Sequence, residues 1–430
     1  MKYGTLKPRG YMPRIADGQL SRMLRIFGAV EVAGTMWCGK TWTSLAFGES
    51  VTRIGLSGPR MAAEADPSVA LLGVRPHVVD EWQDVPAIWD EVRAAVDESG
   101  NESGSFILTG SSEPRKDRVH HSGAGRIAKL RMRTMTLSEL GESSGLISLG
   151  DLFEGKFEPQ LVQQPLPPLA NVICKGGWPA LAGRDTDSAE YLNAYFDAIF
   201  SVSIPRKGLS GLESRRVALS LARNLGTAAK LATIASDARL GEADSKSATM
   251  RAAKHISALE ELYVVEQVTG WDAPIRSKTR LRTKPKRYFA DPSLAASLLQ
   301  MTPERLVGDG QLFGLLFESL CMHDLFVYAS ALEGAQADPV HYYRDSDGLE
   351  VDAVIELRDG RWAAFEVKLG ENQVESAAAS LRRLARKVAA NPAARNPTPA
   401  FLAVVVGAGE YARFDRDLGV YVLPITCLGV

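Results

Sequence analysis

Apolar positions change their spacing along this chain, and the changes divide it into regions. Up to about residue 145, short continuous apolar runs alternate with stretches of three-to-four spacing. Phe27 to Ala33, Pro76 to Asp80 and Ser105 to Leu108 are runs of the first kind. They predict buried strands, and their alternation with helical stretches such as Thr41 to Phe47 predicts a parallel α/β sheet. Residues 146–170 are rich in Gly, Pro and Gln, including Gln163-Gln164-Pro165-Leu166-Pro167-Pro168, and a linker is expected over 146–187. Residues 188–298 form a middle region that is helical from Ser188 to about Leu262. Within it Lys230 to Ala238, a turn at Gly241 and Ala248 to Leu262 predict a helix-turn-helix, with Tyr263 to Val268 as a wing strand. The last region, 299–430, predicts a helix from Leu315 to Ala329, then strands at His341–Arg344, Leu349–Leu357 and Trp362–Val367. A helix from Val374 to Val388 and a strand at Phe401–Val406 complete a β-β-β-α-β order.

Between the first strand and its helix stands Gly34-Thr35-Met36-Trp37-Cys38-Gly39-Lys40-Thr41, which fits G-x-x-x-x-G-K-[ST] at every fixed position. The N-terminal sheet is therefore expected to be that of a P-loop NTPase. Gly34 and Gly39 let backbone wrap a phosphate, and the N–H groups of the loop and helix start face the anion. Lys40 would reach the β- and γ-phosphates of ATP, and Thr41 would hold Mg²⁺. The second run ends in Asp80-Glu81: Asp80 for the Mg²⁺ shell, Glu81 to orient or deprotonate the attacking water. The third ends in Thr109-Gly110-Ser111-Ser112, where Thr109 and Ser111 are candidates to sense the γ-phosphate. Ser122-Gly123-Ala124-Gly125-Arg126 offers a cation in a glycine context. Arg126 reads either as an arginine finger, in cis or in trans, or as a surface arginine.

These pieces resemble the prokaryotic AAA-type ATPases that join an N-terminal P-loop domain to a C-terminal domain of unknown function. The resemblance runs through Tyr11-Met12-Pro13-Arg14, the loop, Val79-Asp80-Glu81-Trp82-Gln83, Leu108 to Ser112, Gly125-Arg126 and Thr136-Leu137-Ser138-Glu139-Leu140. It continues in Gly176-Gly177-Trp178-Pro179 and a late Glu-x-Lys, and so covers nearly the whole chain. One departure is the loop interior, Thr35 to Cys38, which is bulkier than the family's usual Arg-Gln-Val type.

The late elements resemble the PD-(D/E)xK nuclease fold, a restriction-endonuclease-like α/β domain. Asp352 lies fourteen residues before Glu366 in Glu366-Val367-Lys368. On neighbouring strands Asp352 and Glu366 can share Mg²⁺, while Lys368, two residues on, faces the same side and activates water. Glu318, on the preceding helix, can add a metal ligand. The competing reading is an edge strand with paired charges.

Composition narrows the classes. At 430 residues, 45% apolar and 23% charged, the chain suits two or three soluble globular domains. No apolar run approaches a membrane span, and Met1-Lys2-Tyr3-Gly4 lacks a signal-peptide core, so a cytoplasmic protein without a membrane partner is expected. Cys38, Cys174, Cys321 and Cys427 include no Cys-x-x-Cys, which argues against a disulfide framework or structural zinc. A net charge of −1 excludes a polybasic coat, so nucleic-acid contact needs a local patch. Arg276, Lys278, Arg280, Arg282, Lys284 and Lys286 alternate with other residues and, if extended, share one face. That ribbon can track phosphates, or can be a solvated hairpin kept from edge pairing by charge.

The function expected is an ATPase coupling ATP hydrolysis, through Thr109 and Arg126, to binding or processing of nucleic acid, DNA rather than RNA. Two alternatives stand beside it. One is an ATP-gated switch that binds a protein partner through an inactive C-terminal domain; the other is a nucleic-acid-binding module in which ATP stabilises the fold.

Overall fold

The computed structural model describes residues 3–113, 123–162, 165–241, 245–273 and 283–430. It divides into two compact units. The first comprises Met1–Thr134, Trp178–Ala180 and Glu261–Val264, and the second the remainder.

In the first unit, strands β1 (Ala29–Ala33), β2 (Ser50–Arg53), β3 (His77–Asp80), β4 (Phe106–Gly110) and β5 (Ile127–Arg131) form a sheet of order β2-β3-β4-β1-β5. Every pairing is parallel, and Ala29 lies opposite both Phe106 and Ile127. Helices α1 (Ile15–Met23), α2 (Lys40–Phe47), α3 (Ser57–Ala65) and α4 (Ile88–Glu98) accompany it. Strand side chains alternate between the two faces. Val30, Val32, Val78 and Ile107 pack with Leu20, Ala46 and Phe47; Val79, Phe106 and Leu108 pack with Ile88, Val92 and Val96. Each such fully buried aliphatic side chain contributes about 1.5–3 kcal/mol. Covered on both faces, the strands read as the continuous apolar runs of the sequence, and their parallel course brings Ala33, Asp80 and Gly110 to one edge.

The second unit holds helices α5 (Leu137–Leu140), α6 (Leu149–Phe153) and α7 (Leu166–Lys175), then α8 (Ser188–Asp197), α9 (Ile204–Arg206), α10 (Gly211–Arg223), α11 (Leu231–Asp237) and α12 (Lys246–Glu261). Later come α13 (Pro292–Leu298), α14 (Pro303–Val307), α15 (Gly310–Ala331) and α16 (Val374–Ala389). Its strands are β6 (Ile147–Ser148), β7 (Gln160–Leu161), β8 (Val265–Val268), β9 (Lys286–Phe289), β10 (Val340–Arg344), β11 (Glu350–Glu356), β12 (Trp362–Lys368), β13 (Phe401–Val406), β14 (Tyr411–Asp415), β15 (Val420–Pro424) and β16 (Leu428–Gly429). The main sheet has order β10-β11-β12-β13-β15-β14-β7. Strands β10 to β12 are antiparallel neighbours, while β12, β13 and β15 run parallel. Val374, Ala377, Ala378, Leu381, Leu384 and Val388 recur at helical spacing and bury α16 against Val351, Trp362, Val404 and Val406.

The predicted late order β-β-β-α-β is present as β10, β11, β12, α16 and β13. Helix α15 is long and apolar enough to cross a membrane by length and composition, contrary to the sequence expectation, but 72% of its most apolar stretch is buried inside the fold. The expected linker is also corrected. Residues 147–175 carry β6, α6, β7 and α7, with β6 paired to β16 and β7 to β14. Pro167 and Pro168 open α7 rather than break a helix, because a first-turn residue needs no N–H donor. In the middle region α11 and α12 follow the predicted helix–turn–helix bounds closely, and β8 pairs antiparallel with β9.

Candidate nucleotide site and acidic cluster

Loop Gly34–Gly39 leaves β1 and enters α2 at the sheet edge shared by Asp80 and Gly110. Gly39 has φ +104°, a conformation that strains any side-chain-bearing residue. A Cβ on Gly34 would lie 2.1 Å from the Met132 carbonyl oxygen, so only glycine lets the loop leave the strand there. Lys40, buried at the start of α2, donates from Nζ to the Thr35 carbonyl at 2.8 Å across the loop. Thr41 Oγ1 donates to Asp80 Oδ1 at 2.8 Å, which joins the end of β3 to the loop.

Thr109 bridges Asp80, the last residue of β3, and Glu81, the next: its Oγ1 donates to Asp80 Oδ1 at 2.6 Å and accepts from the Glu81 N–H at 3.1 Å. Glu81 stands at φ +58°, a left-handed conformation that costs a non-glycine residue roughly 1 kcal/mol or more. Its Oε2 accepts from Ser111 Oγ at 3.0 Å and from Gln83 Nε2. The carboxylate is thus aimed by two neighbours, while Thr109 holds the backbone of the same residue. Oxygen donors of hydroxyl and carboxylate type, Thr41 and Asp80, meet within a hydrogen bond of each other, the chemistry that Mg²⁺ takes.

Residues with no role assigned from the sequence support this edge. Arg14, buried at the start of α1, donates from Nη1 to the Cys38 carbonyl and from Nη2 to the Arg133 carbonyl, each at 2.9 Å. Tyr11 donates to Asp17 Oδ1 at 2.6 Å and lies 3.0 Å from Thr43 Oγ1. The Tyr11–Arg14 motif therefore braces the loop. Beneath Glu81, Trp82 Nε1 donates to Glu31 Oε1 at 3.2 Å, and burial raises the Glu31 carboxyl above its ordinary range.

Arg126 is corrected as a finger in cis. It precedes β5, and its carbonyl accepts from Ala29 N–H at 3.0 Å, so it lies at the opposite edge of the sheet. A five-residue strand separates it from the loop edge, about 16 Å. Its Nε donates to Asp97 Oδ1 at 2.7 Å instead. His120 and His121, which precede Arg126 in sequence and read as a solvated loop pair rather than a metal site, lie outside the described residues.

The second cluster is in the second unit. Glu366 and Lys368 share one side of β12, Glu350 and Asp352 one side of β11, and Glu318 comes from α15. Lys368 Nζ lies 2.6 Å from Glu366 Oε2 and 3.5 Å from Asp352 Oδ2, while Asp352 Oδ2 also accepts the Val367 N–H at 2.9 Å. Burial, then repulsion from Asp352, pushes the Glu366 carboxyl up to about 8. The same two causes push Glu318 up to about 7. Lys368 is raised: burial is its largest influence and opposes the charge, but Asp352 and Glu366 outweigh it. The structure thus brings together all four residues expected here.

It adds Lys286, and corrects it. Expected on a nucleic-acid face, Lys286 is buried on β9 with Nζ 2.7 Å from Glu350 Oε1 and 3.4 Å from Glu318 Oε1. The buried acids draw it inward, and Tyr288, two residues on, follows by donating to Glu318 Oε1. Alternation along β9 puts Lys286 and Tyr288 on one face, but their acidic partners, distant in sequence, were not legible. Lys284 is exposed, and Arg276, Lys278, Arg280 and Arg282 lie outside the described residues. Among the described residues, no three His, Cys, Asp or Glu close up as a ready metal cage. Four carboxylates, Glu318, Glu350, Asp352 and Glu366, nonetheless meet two ammonium groups, and carboxylate oxygens are the donors that a divalent cation takes. A cavity of about 510 Å³ at the turn end of β11 and β12, lined by Trp271, Glu356, Trp362 and Asn396, contains none of these residues.

Residues 27–141 match the family profile "AAA domain", 167–305 a domain of unknown function, DUF8612, and 313–428 another, DUF4143. Over 363 residues the chain is 24% identical to an uncharacterized protein of Mycobacterium tuberculosis and to one of Mycobacterium bovis, covering 83% of this chain and 73% of each relative. Among solved structures, a Walker-type ATPase of Pyrococcus abyssi aligns at TM-score 0.42 and 12% identity, over 68% of this chain and 97% of its own. A RuvB variant of Thermotoga maritima aligns at 0.29 and 16%, over 61% and 93%. Such scores carry no functional weight. The AAA match, together with the loop geometry, supports an AAA-type P-loop ATPase domain over residues 27–141.

Proposed function

We propose that this protein is a Mg²⁺-dependent ATPase that couples ATP hydrolysis to DNA binding or processing through a nuclease-like C-terminal region. The observation that carries the ATPase part is the convergence of Lys40, Thr41, Asp80, Thr109 and Glu81 at one sheet edge. In this reading the loop N–H groups and Lys40 bind the β- and γ-phosphates. Thr41 and Asp80 would hold Mg²⁺, which when bound neutralises charge on the phosphate oxygens. Glu81, aimed by Ser111 and Gln83 and held at its backbone by Thr109, orients a water in line with the γ-phosphate and accepts its proton. Thr109 registers whether the γ-phosphate is present, because it touches both acids.

For the C-terminal region, the support is the meeting of Asp352, Glu366, Lys368 and Glu318 on a β-β-β-α-β frame. Asp352, Glu366 and Glu318 would hold a divalent cation, and Lys368 would orient the attacking water. The helix–turn–helix α11–α12 with the hairpin β8–β9 supports a winged-helix-like DNA contact, and the cationic segment from Arg276 to Lys284 adds phosphate affinity.

A second reading, the ATP-gated switch with an inactive C-terminal region docked on a protein, is favoured by the ammonium groups seated among those acids. Divalent-dependent cleavage of duplex DNA by the full chain separates the two. It should disappear in Asp352→Ala and Lys368→Ala; cleavage unchanged in both variants removes the nuclease assignment. DNA affinity should fall steeply with salt, and a flat dependence favours the protein partner.

A further inference from the structure

The acidic cluster contains a cation that the proposed chemistry does not use. Lys286 enters from β9, an element separate from the strands and helix that bring the acids. Its side chain is 4% exposed. A buried ammonium persists only where paired, and the partners here are Glu350 at 2.7 Å and Glu318 at 3.4 Å, with the Tyr342 ring centroid 5.3 Å away. Glu318 Oε1 accepts from both Lys286 and the Tyr288 hydroxyl, so both lone pairs of that oxygen are taken. Lys368 meanwhile covers Asp352 and Glu366.

We propose that Lys286 is the resident counter-cation of this cluster: it stabilises the acids when no divalent ion is bound, and it competes with a divalent ion for Glu318. The inference rests on reading the cluster as a divalent-cation site. A second cation reaching Glu318 must share that oxygen with Lys286 or displace it, and like charges a few ångströms apart in a poorly solvated site repel strongly. Lys286 is thus a positioning residue that sets how readily the site loads.

Mn²⁺ titration of the nucleotide-free full chain, by calorimetry or electron paramagnetic resonance, tests this alongside thermal melting in chelator and in saturating Mn²⁺. Lys286→Met should bind Mn²⁺ about tenfold more tightly or better. It should melt lower than wild type in chelator, with the gap narrowing in Mn²⁺, while Lys286→Arg stays near wild type. Adding Glu318→Gln to Lys286→Met should recover the melting temperature lost in chelator. Mn²⁺ affinity unchanged or weaker in Lys286→Met overturns the inference. If Lys286→Met does not fold, Glu350→Gln serves: freed from its shorter contact, Lys286 settles on Glu318 and Mn²⁺ affinity should fall several-fold, and wild-type affinity there also overturns the inference. Paired Asp352→Asn and Glu366→Gln substitutions separate the two failures. If they leave wild-type Mn²⁺ binding intact, the cluster is no metal site and both readings fall. If they abolish it, only the role of Lys286 is at stake.

Discussion

Thr109 Oγ1 takes part in two hydrogen bonds, donating to Asp80 and accepting from the Glu81 N–H. Thr109→Ala leaves Asp80 short of a donor and Glu81 free to leave its left-handed conformation. ATP affinity should stay within a few-fold of wild type while turnover falls about tenfold or more, and Thr109→Ser should restore most of it; steady-state phosphate release and nucleotide titration check this. Glu31 supplies a pH test. Burial raises its folded-state carboxyl above the ordinary 4.5. The folded protein therefore holds a proton that the unfolded chain has released, so this contribution to stability is full below 4.5 and is lost as pH rises through the raised value. Urea unfolding from pH 4.5 to 7 should show a shallower decline in Glu31→Gln than in wild type; identical slopes contradict the assignment. At this scale the sequence was legible where a motif fixes both residue and spacing, as for Lys40, Thr41, Asp80 and Glu81. The bracing role of Arg14 and the pairing of Lys286 with Glu350 and Glu318 were not legible, because their partners lie far away in sequence.

Among the elements, β1 and the loop after it illustrate how close approach limits substitution. Gly34→Ala would put a methyl against the Met132 carbonyl and push β1 from β5. The expected result is loss of nucleotide binding together with a destabilisation of roughly 1–3 kcal/mol, read by titration and by denaturant unfolding. Strands and helices with full-length apolar patterns were visible in sequence: β13 spans the predicted Phe401–Val406, and α16 ends one residue beyond its prediction. Several missed elements are short, whereas the ten-residue α7 was hidden by its opening Pro167-Pro168, which reads as linker. Strands β6 and β7 have two residues each, too few to display a period, and are held by pairing with β16 and β14 instead. Arg126 shows the same limit from another side, since the glycine-rich context was evident but only the register of β5 against β1 reveals which sheet edge it occupies.

The molecule as a whole has two compact units, each with its own core, so a single unfolding free energy does not describe it. Calorimetric scans should show Mg-ATP stabilising the unit that carries the loop, by about 2.7 kcal/mol at a hundredfold excess over Kd, with no effect in Lys40→Ala. The central claim is that the loop edge is a hydrolytic ATP site engaged with DNA. Phosphate release from Mg-ATP, with and without duplex DNA, measured for wild type and Glu81→Gln, tests it most directly. The account predicts DNA-stimulated turnover in wild type and a loss of about a hundredfold in Glu81→Gln, with ATP still bound. Turnover unchanged in Glu81→Gln, or ATP bound tightly by wild type with negligible turnover and no response to DNA, would contradict it.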